Sequence, residues 1–171
     1  MDGVELFTES ADQVGVSTLR AHLDEHGLSL AAVGTGAGKL IQGLTLTDTD
    51  TEVRQRAISF VTTMIEFGAA FGAPAIIGSM QGFVGDGRTR ADALAILRDS
   101  LAVCGLRAQA LGVSLIYEPL NRYESDLVNT QEDAAHLLDG VDGVLTLADL
   151  FHMSIEEASV AESVRTHCGQ I

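Results

Sequence analysis

The chain has 171 residues, 46% of them hydrophobic, with 10 Lys and Arg against 24 Asp and Glu and only two cysteines. That is apolar material for one sizeable domain. A net charge of -14 and a pI near 4.5 argue against a protein built to hold nucleic-acid phosphates or anionic membrane. Cys104 and Cys168 are too few for a disulfide framework, and the start lacks a basic segment followed by a cleavable apolar stretch, so a cytoplasmic setting is expected.

Short apolar runs alternate with longer stretches of helical spacing, the pattern of βαβ units on a parallel sheet. Strands are expected at residues 3–7, 28–33, 75–80, 113–118 and 144–149. Runs such as Val113-Ser114-Leu115-Ile116-Tyr117 are apolar at nearly every position, as expected for strands covered on both faces. The segment Gly34-Thr35-Gly36-Ala37-Gly38-Lys39 misses the phosphate-loop spacing by one residue and has Leu40 where a magnesium-binding hydroxyl belongs. It reads as a flexible βα loop, and with it the doubly wound nucleotide fold loses support to the closed (β/α)₈ barrel.

Helix starts are expected at Thr49 with Glu52, Thr89 with Asp92 and Thr130 with Asp133, each a hydroxyl three residues before a carboxylate. One helix should bury Val53, Ala57, Phe60, Met64 and Phe71, the next Leu94, Leu97, Leu101, Cys104, Ala108 and Leu111. Cys104 on that stripe reads as a small core hydrophobe, and Gly27, Gly72 and Gly112 as helix ends. The uncharged run 67–85 is broken by Pro74 and five glycines, so no membrane span is expected there.

In such architectures chemistry sits at the carboxyl ends of the strands. The fourth run ends Glu118-Pro119-Leu120-Asn121-Arg122-Tyr123-Glu124 and the fifth Asp149-Leu150-Phe151-His152-Met153-Ser154-Ile155-Glu156-Glu157. A charge leaving a core strand is costly unless paired or metal-bound. Neighbouring strands lie about 4.8 Å apart, so Glu118 and Asp149 could share one hard divalent cation. Equally, each could cap the next helix or pair with an arginine such as Arg122. His152, three residues after Asp149 where the chain must bend, is expected to face the same place. His22, His26, His136 and His167 lie on polar stretches and are expected to be solvated.

These two segments resemble the signatures of the xylose-isomerase-like TIM barrel superfamily, the sugar (phosphate) isomerases and epimerases, and most closely the ketose 3-epimerase branch. Asp2-Gly3-Val4-Glu5-Leu6, Gly34-Thr35-Gly36 and Thr45-Leu46-Thr47-Asp48 add to a likeness that runs over essentially the whole chain. The resemblance implies that Glu118 and Asp149 are metal ligands and that Glu118 is also one of two carboxylates moving a proton next to a carbonyl. It implies that His152 and Glu124 bind substrate oxygens and that Glu156 supports them. The expected reaction passes through a cis-enediolate and uses a divalent ion, manganese first, with magnesium, cobalt or zinc also suited to oxygen ligands. A small-molecule sugar is the expected partner.

By motif order the five runs correspond to the second to sixth strands of an eight-stranded barrel, giving one partial (β/α) barrel domain over residues 1–171. The family's third and fourth ligands, a His and a Glu, come from strands with no counterpart here. The chain is therefore expected not to close a barrel alone, and exposed strand edges point to a homo-oligomer. Two further readings stand beside the epimerase: a hydroxypyruvate isomerase-like enzyme, and a non-catalytic barrel fragment serving as a binding module. The abasic-site endonucleases share the barrel, but after Tyr123 only Arg165 is basic, which speaks against a nucleic-acid substrate.

Overall fold

A computed structural model describes residues 2–171. Five parallel strands stand in chain order in one sheet: β1 (Gly3–Phe7), β2 (Ser29–Gly34), β3 (Ala75–Ile77), β4 (Leu115–Tyr117) and β5 (Val144–Thr146). Helices make every crossover: α1 (Val16–His26), α2 (Ala37–Gln42), α3 (Thr51–Ala69), α4 (Arg90–Ala110) and α5 (Gln131–Leu138). After β5 come α6 (Leu150–Glu156) and α7 (Val160–His167). Among the described residues no helix is long and apolar enough to cross a membrane.

Strand parity decides the two faces. Ala75, Ile77, Leu115 and Tyr117 are fully buried together with Ala57, Val61, Met64 and Ile65 of α3 and Leu97, Leu101, Cys104 and Ala108 of α4. The α4 stripe thus follows its sequence spacing. Burial pushes the Cys104 thiol up to about 12. On the other face Ile76 and Ile116 are only half-buried and Leu145 is exposed. The expected cover on both faces is not found there, because the helices pack on one side. Phe71 lies beyond the end of α3 and is half-buried.

Three strands are shorter than their apolar runs. The 75–80 run splits into β3 and a 3₁₀ turn at Ser79–Gln81, and the 113–118 and 144–149 runs keep only their middle or first residues as strand. The chain turns out of the ladder while its last hydrogen bonds persist: Glu118 N–H donates to Ile77 O at 2.9 Å and Leu147 N–H to Tyr117 O at 2.9 Å. Glu118 and Asp149 therefore stand just past the strand ends, tethered to the sheet.

The Thr89–Asp92 capping box forms in full. Thr130 caps α5 through Asp133 N–H, while the Asp133 carboxylate turns to Arg90 at 3.3 Å. Thr49 is not the cap of α3; Asp50 is, accepting from Glu52 N–H at 2.8 Å. The expected flexible loop after β2 is also corrected, since α2 begins within it. A Cβ on Gly38 would overlap Met80 Sδ and lie 2.8 Å from Phe60 Cε1, so the glycine lets α2 press onto the turn after β3.

Candidate active site

The fully buried Tyr117 ends β4, and its hydroxyl donates to Gln81 Oε1 at 2.6 Å. Gln81, also fully buried, uses Nε2 on Gly78 O at 3.2 Å and Glu118 O at 3.3 Å. This knot fixes the backbone from which Glu118 projects toward the half-covered face. Its carboxylate passes over Gly78, where a Cβ would stand 2.5 Å from Glu118 Oε2. Only glycine leaves that path open.

The Glu118 carboxyl is pushed up to about 7, first by burial, then by the charge of Asp149 and a hydrogen bond with it, and further by Glu5 and Glu124. Arg122 brings no relief. Its guanidinium holds Glu156 through Nε to Oε1 at 2.9 Å and Nη2 to Oε2 at 2.8 Å, and Arg122 N–H donates to the same Oε1 at 2.7 Å. These bonds hold the Glu156 carboxyl below its usual range and fasten the loop after β4 to α6.

Asp149 joins two readings that stood as alternatives. It caps α6, accepting from Phe151 N–H at 2.7 Å, and it also faces Glu118. His152 follows in the first turn and is buried. Its Nδ1 accepts from Asn121 N–H at 3.1 Å, which assigns the ring proton to Nε2, 3.8 Å from Glu118 Oε1. The Asn121 amide is fully accounted for: Oδ1 accepts from Tyr123 N–H at 2.9 Å, and Nδ2 reaches Glu124 Oε1 at 2.7 Å and His152 Nδ1 at 2.8 Å. Glu124 is thereby held at the mouth of the site.

Glu118, Asp149 and His152 each offer a ligand atom within 4.8 Å of the others'. Two carboxylates, one of them strained by burial beside the other, fit a hard divalent cation. His152 fits less well as a ligand, since its inward nitrogen carries the proton, and better as a hydrogen-bond donor to an oxygen. Glu118, Glu124 and His152 line one cleft of about 240 Å³ with Glu5, Phe7, Ile76 and Leu120.

Two residues not singled out in the sequence join them. Glu5 in β1 lines the cleft and raises the proton affinity of Glu118. It could have been found by the argument applied to Glu118, since it is a carboxylate within an apolar strand. Asn121 leaves a fainter signal, a polar side chain in a loop that turns out 2% exposed.

A family model described as xylose isomerase-like TIM barrel matches residues 1–167. The chain belongs to that family. A Synechocystis sp. protein named probable ketose 3-epimerase is 28% identical over 185 residues, an alignment covering 99% of this chain and 61% of the relative. A D-psicose 3-epimerase of Agrobacterium fabrum is 43% identical over 61 residues, 34% of this chain and 21% of that one. Among solved structures, an L-ribulose 3-epimerase superposes with a TM-score of 0.82 at 25% identity, covering 100% of this chain and 58% of the other. The chain thus spans about three fifths of the relatives that match it from end to end. These three relatives are named as carbohydrate epimerases, and the five-stranded parallel sheet is the corresponding part of the family's barrel.

Proposed function

We propose that this cleft belongs to a metal-dependent carbohydrate epimerase or isomerase of the ketose 3-epimerase kind, which moves a proton at the carbon next to a carbonyl. The observation that carries the reading is the half-buried Glu118 carboxyl, pushed up to about 7 beside Asp149, with a ligand atom of each and of His152 within 4.8 Å of the others, at a cleft open to a small molecule. A carboxyl whose proton affinity lies near neutrality can both take and return a proton.

Each side chain has a part. Glu118 removes the proton from carbon, its aim fixed by the Tyr117–Gln81 knot and the gap over Gly78. His152 donates Nε2–H to a substrate oxygen, and Asn121 keeps that tautomer in place. Glu124 accepts from a substrate hydroxyl, and Glu156 supports the loop through Arg122. A divalent cation held by Glu118 and Asp149, manganese first among manganese, magnesium, cobalt and zinc, would supply stabilisation of the negative charge that develops on the enediolate oxygens. A homo-oligomer and a cytoplasmic setting belong to the same proposal.

The test is solvent exchange. Protein supplied with manganese should wash deuterium from D₂O into the carbon next to the carbonyl of a ketohexose, and Glu118→Gln should abolish it. Absence of exchange together with absence of bound metal would leave the non-catalytic module as the reading. Sedimentation equilibrium measures the oligomer.

A further inference from the structure

By register Phe7, Gly34, Ile76 and Ile116 stand in one row across β1 to β4. Phe7 shares its face with Glu5, two residues back, while Val4 and Leu6 pack on the core. The row therefore lies on the half-covered face, and Glu118 is the next position on that face beyond Ile116. Phe7 and Ile76 give the cleft an apolar floor, and Glu118, Glu124 and His152 give it a polar wall. Glycine lets the ring lie there. A Cβ on Gly34 would stand 3.4 Å from Phe7 Cδ2, and one on Gly36 would stand 3.1 Å from Phe7 Cε2 and 3.3 Å from Ser79 Oγ. The ring thus rests against two glycines, bordered by Glu5 Oε1 and Ser79 Oγ, and Phe7 is 59% exposed. Among the described residues that line the cleft it is the one aromatic ring besides the His152 imidazole.

We propose that Phe7 is a substrate-contacting residue that sets the affinity for sugar: the C–H groups of the ketose chain lie on its ring, while Glu5 and Ser79 at the border take up hydroxyls. This rests on the reading of the cleft as an epimerase site and adds the residue that seats the carbon skeleton. A sugar alternates C–H and O–H groups along one chain, and a ring bordered by hydrogen-bonding oxygens matches that alternation. The negative face of an aromatic ring attracts C–H groups polarised by neighbouring oxygens. The polar wall grips oxygens at single points, whereas the ring supplies a plane that limits how the chain can turn about them. Gly36 acts through the ring as a positioning residue. Its φ of -55° suits any amino acid, so what the glycine keeps is the clearance beside Phe7 Cε2.

The chain has no tryptophan, so Phe7→Trp places a single fluorophore at this spot. The manganese-supplied variant is titrated in turn with D-fructose, D-sorbose and D-ribulose, and its emission should respond saturably to whichever of them exchanges fastest in D₂O. In the same exchange assay Phe7→Ala should raise KM about tenfold, what roughly 50 Å² of apolar contact is worth, with a much smaller effect on kcat. Gly36→Ala, which crowds the ring, should raise KM in the wild type and leave it unchanged in the Phe7→Ala background. A tryptophan signal unmoved by a ketose that the same variant exchanges overturns the proposal, as does a Phe7→Ala protein whose KM is that of the wild type. A loss confined to stability or to oligomer size assigns the ring to packing and overturns it likewise. Failure of the wild type to exchange any of the three ketoses, with the tryptophan still responding to them, would instead overturn the epimerase reading and keep the ring as a sugar platform. Neither exchange nor response overturns both.

Discussion

Replacing Glu118 by glutamine removes a charge but keeps the shape, and it should stabilise the protein while destroying its chemistry. The Glu118 carboxyl rises from an ordinary 4.5 to about 7 on folding, so the folded state holds a proton there that the unfolded state has released. Between those two values stability falls as pH rises, because the charged form is the one the fold disfavours. That rise makes the cost of the charged form about 3 kcal/mol at pH 8 and under about 1 kcal/mol at pH 5. Glutamine has no charge to bury. Urea unfolding in chelator should therefore show Glu118→Gln gaining on the wild type by about 2–3 kcal/mol between pH 5 and pH 8. Saturating manganese should nearly close the gap at pH 8: ligand at a hundred times its Kd adds about 2.7 kcal/mol to the wild type and little to the variant. Equal pH slopes for the two proteins in chelator, or a wild type more stable than the variant at pH 8, would refute the reasoning.

Gly78→Ala should cost about 1–3 kcal/mol of stability, and because the new Cβ claims the space of Glu118 Oε2, manganese affinity measured by calorimetry should fall at least tenfold. Asn121→Asp keeps the acceptor for Tyr123 N–H but puts a carboxylate against Glu124 and His152 Nδ1; exchange activity should drop about a hundredfold, in line with loss of an oriented catalytic group. A thiol reagent under native conditions should titrate one cysteine, the exposed Cys168, since the Cys104 thiol is buried and pushed up to about 12; a titre of two would show that α4 opens. Thr89→Ala should lower stability by about 1 kcal/mol through loss of the cap on α4.

The alternation of strand and helix could be read from the sequence because apolar runs and caps are local signals. Strand lengths could not, since a run such as Ala75 to Met80 stays apolar while the backbone has already turned to deliver Met80 to the α2 contact. The α3 cap was missed for a similar reason: Thr47, Asp48, Thr49 and Asp50 are all cap formers, and only the fold selects the last. Glu118 and Asp149 stood out as charges in apolar surroundings. The role of Gly78 depends on a side chain 40 residues on, and the tautomer of His152 depends on an amide 31 residues back. No window along the chain contains those pairs.

The Asp149-to-His152 spacing has a reason in helix geometry. Asp149 is the N-cap of α6, and positions i, i+3 and i+7 share one face of a helix. Capping by Asp149 thus turns His152 toward Glu118 and Asn121, and Glu156 toward Arg122. The result inverts the usual surface helix, whose buried stripe is apolar. Here Leu150 and Phe151 are 64% and 62% exposed, whereas the His152 and Glu156 side chains are 9% and 6% exposed. Apart from Met153, what seats α6 is a cap, an imidazole and an ion pair, each with a defined direction. Hydrophobic burial tolerates small rotations of a helix, and hydrogen bonds of fixed length do not. A helix seated in this way holds Asp149 and His152 in one orientation relative to Glu118, as the proposed proton transfer at a single carbon would require.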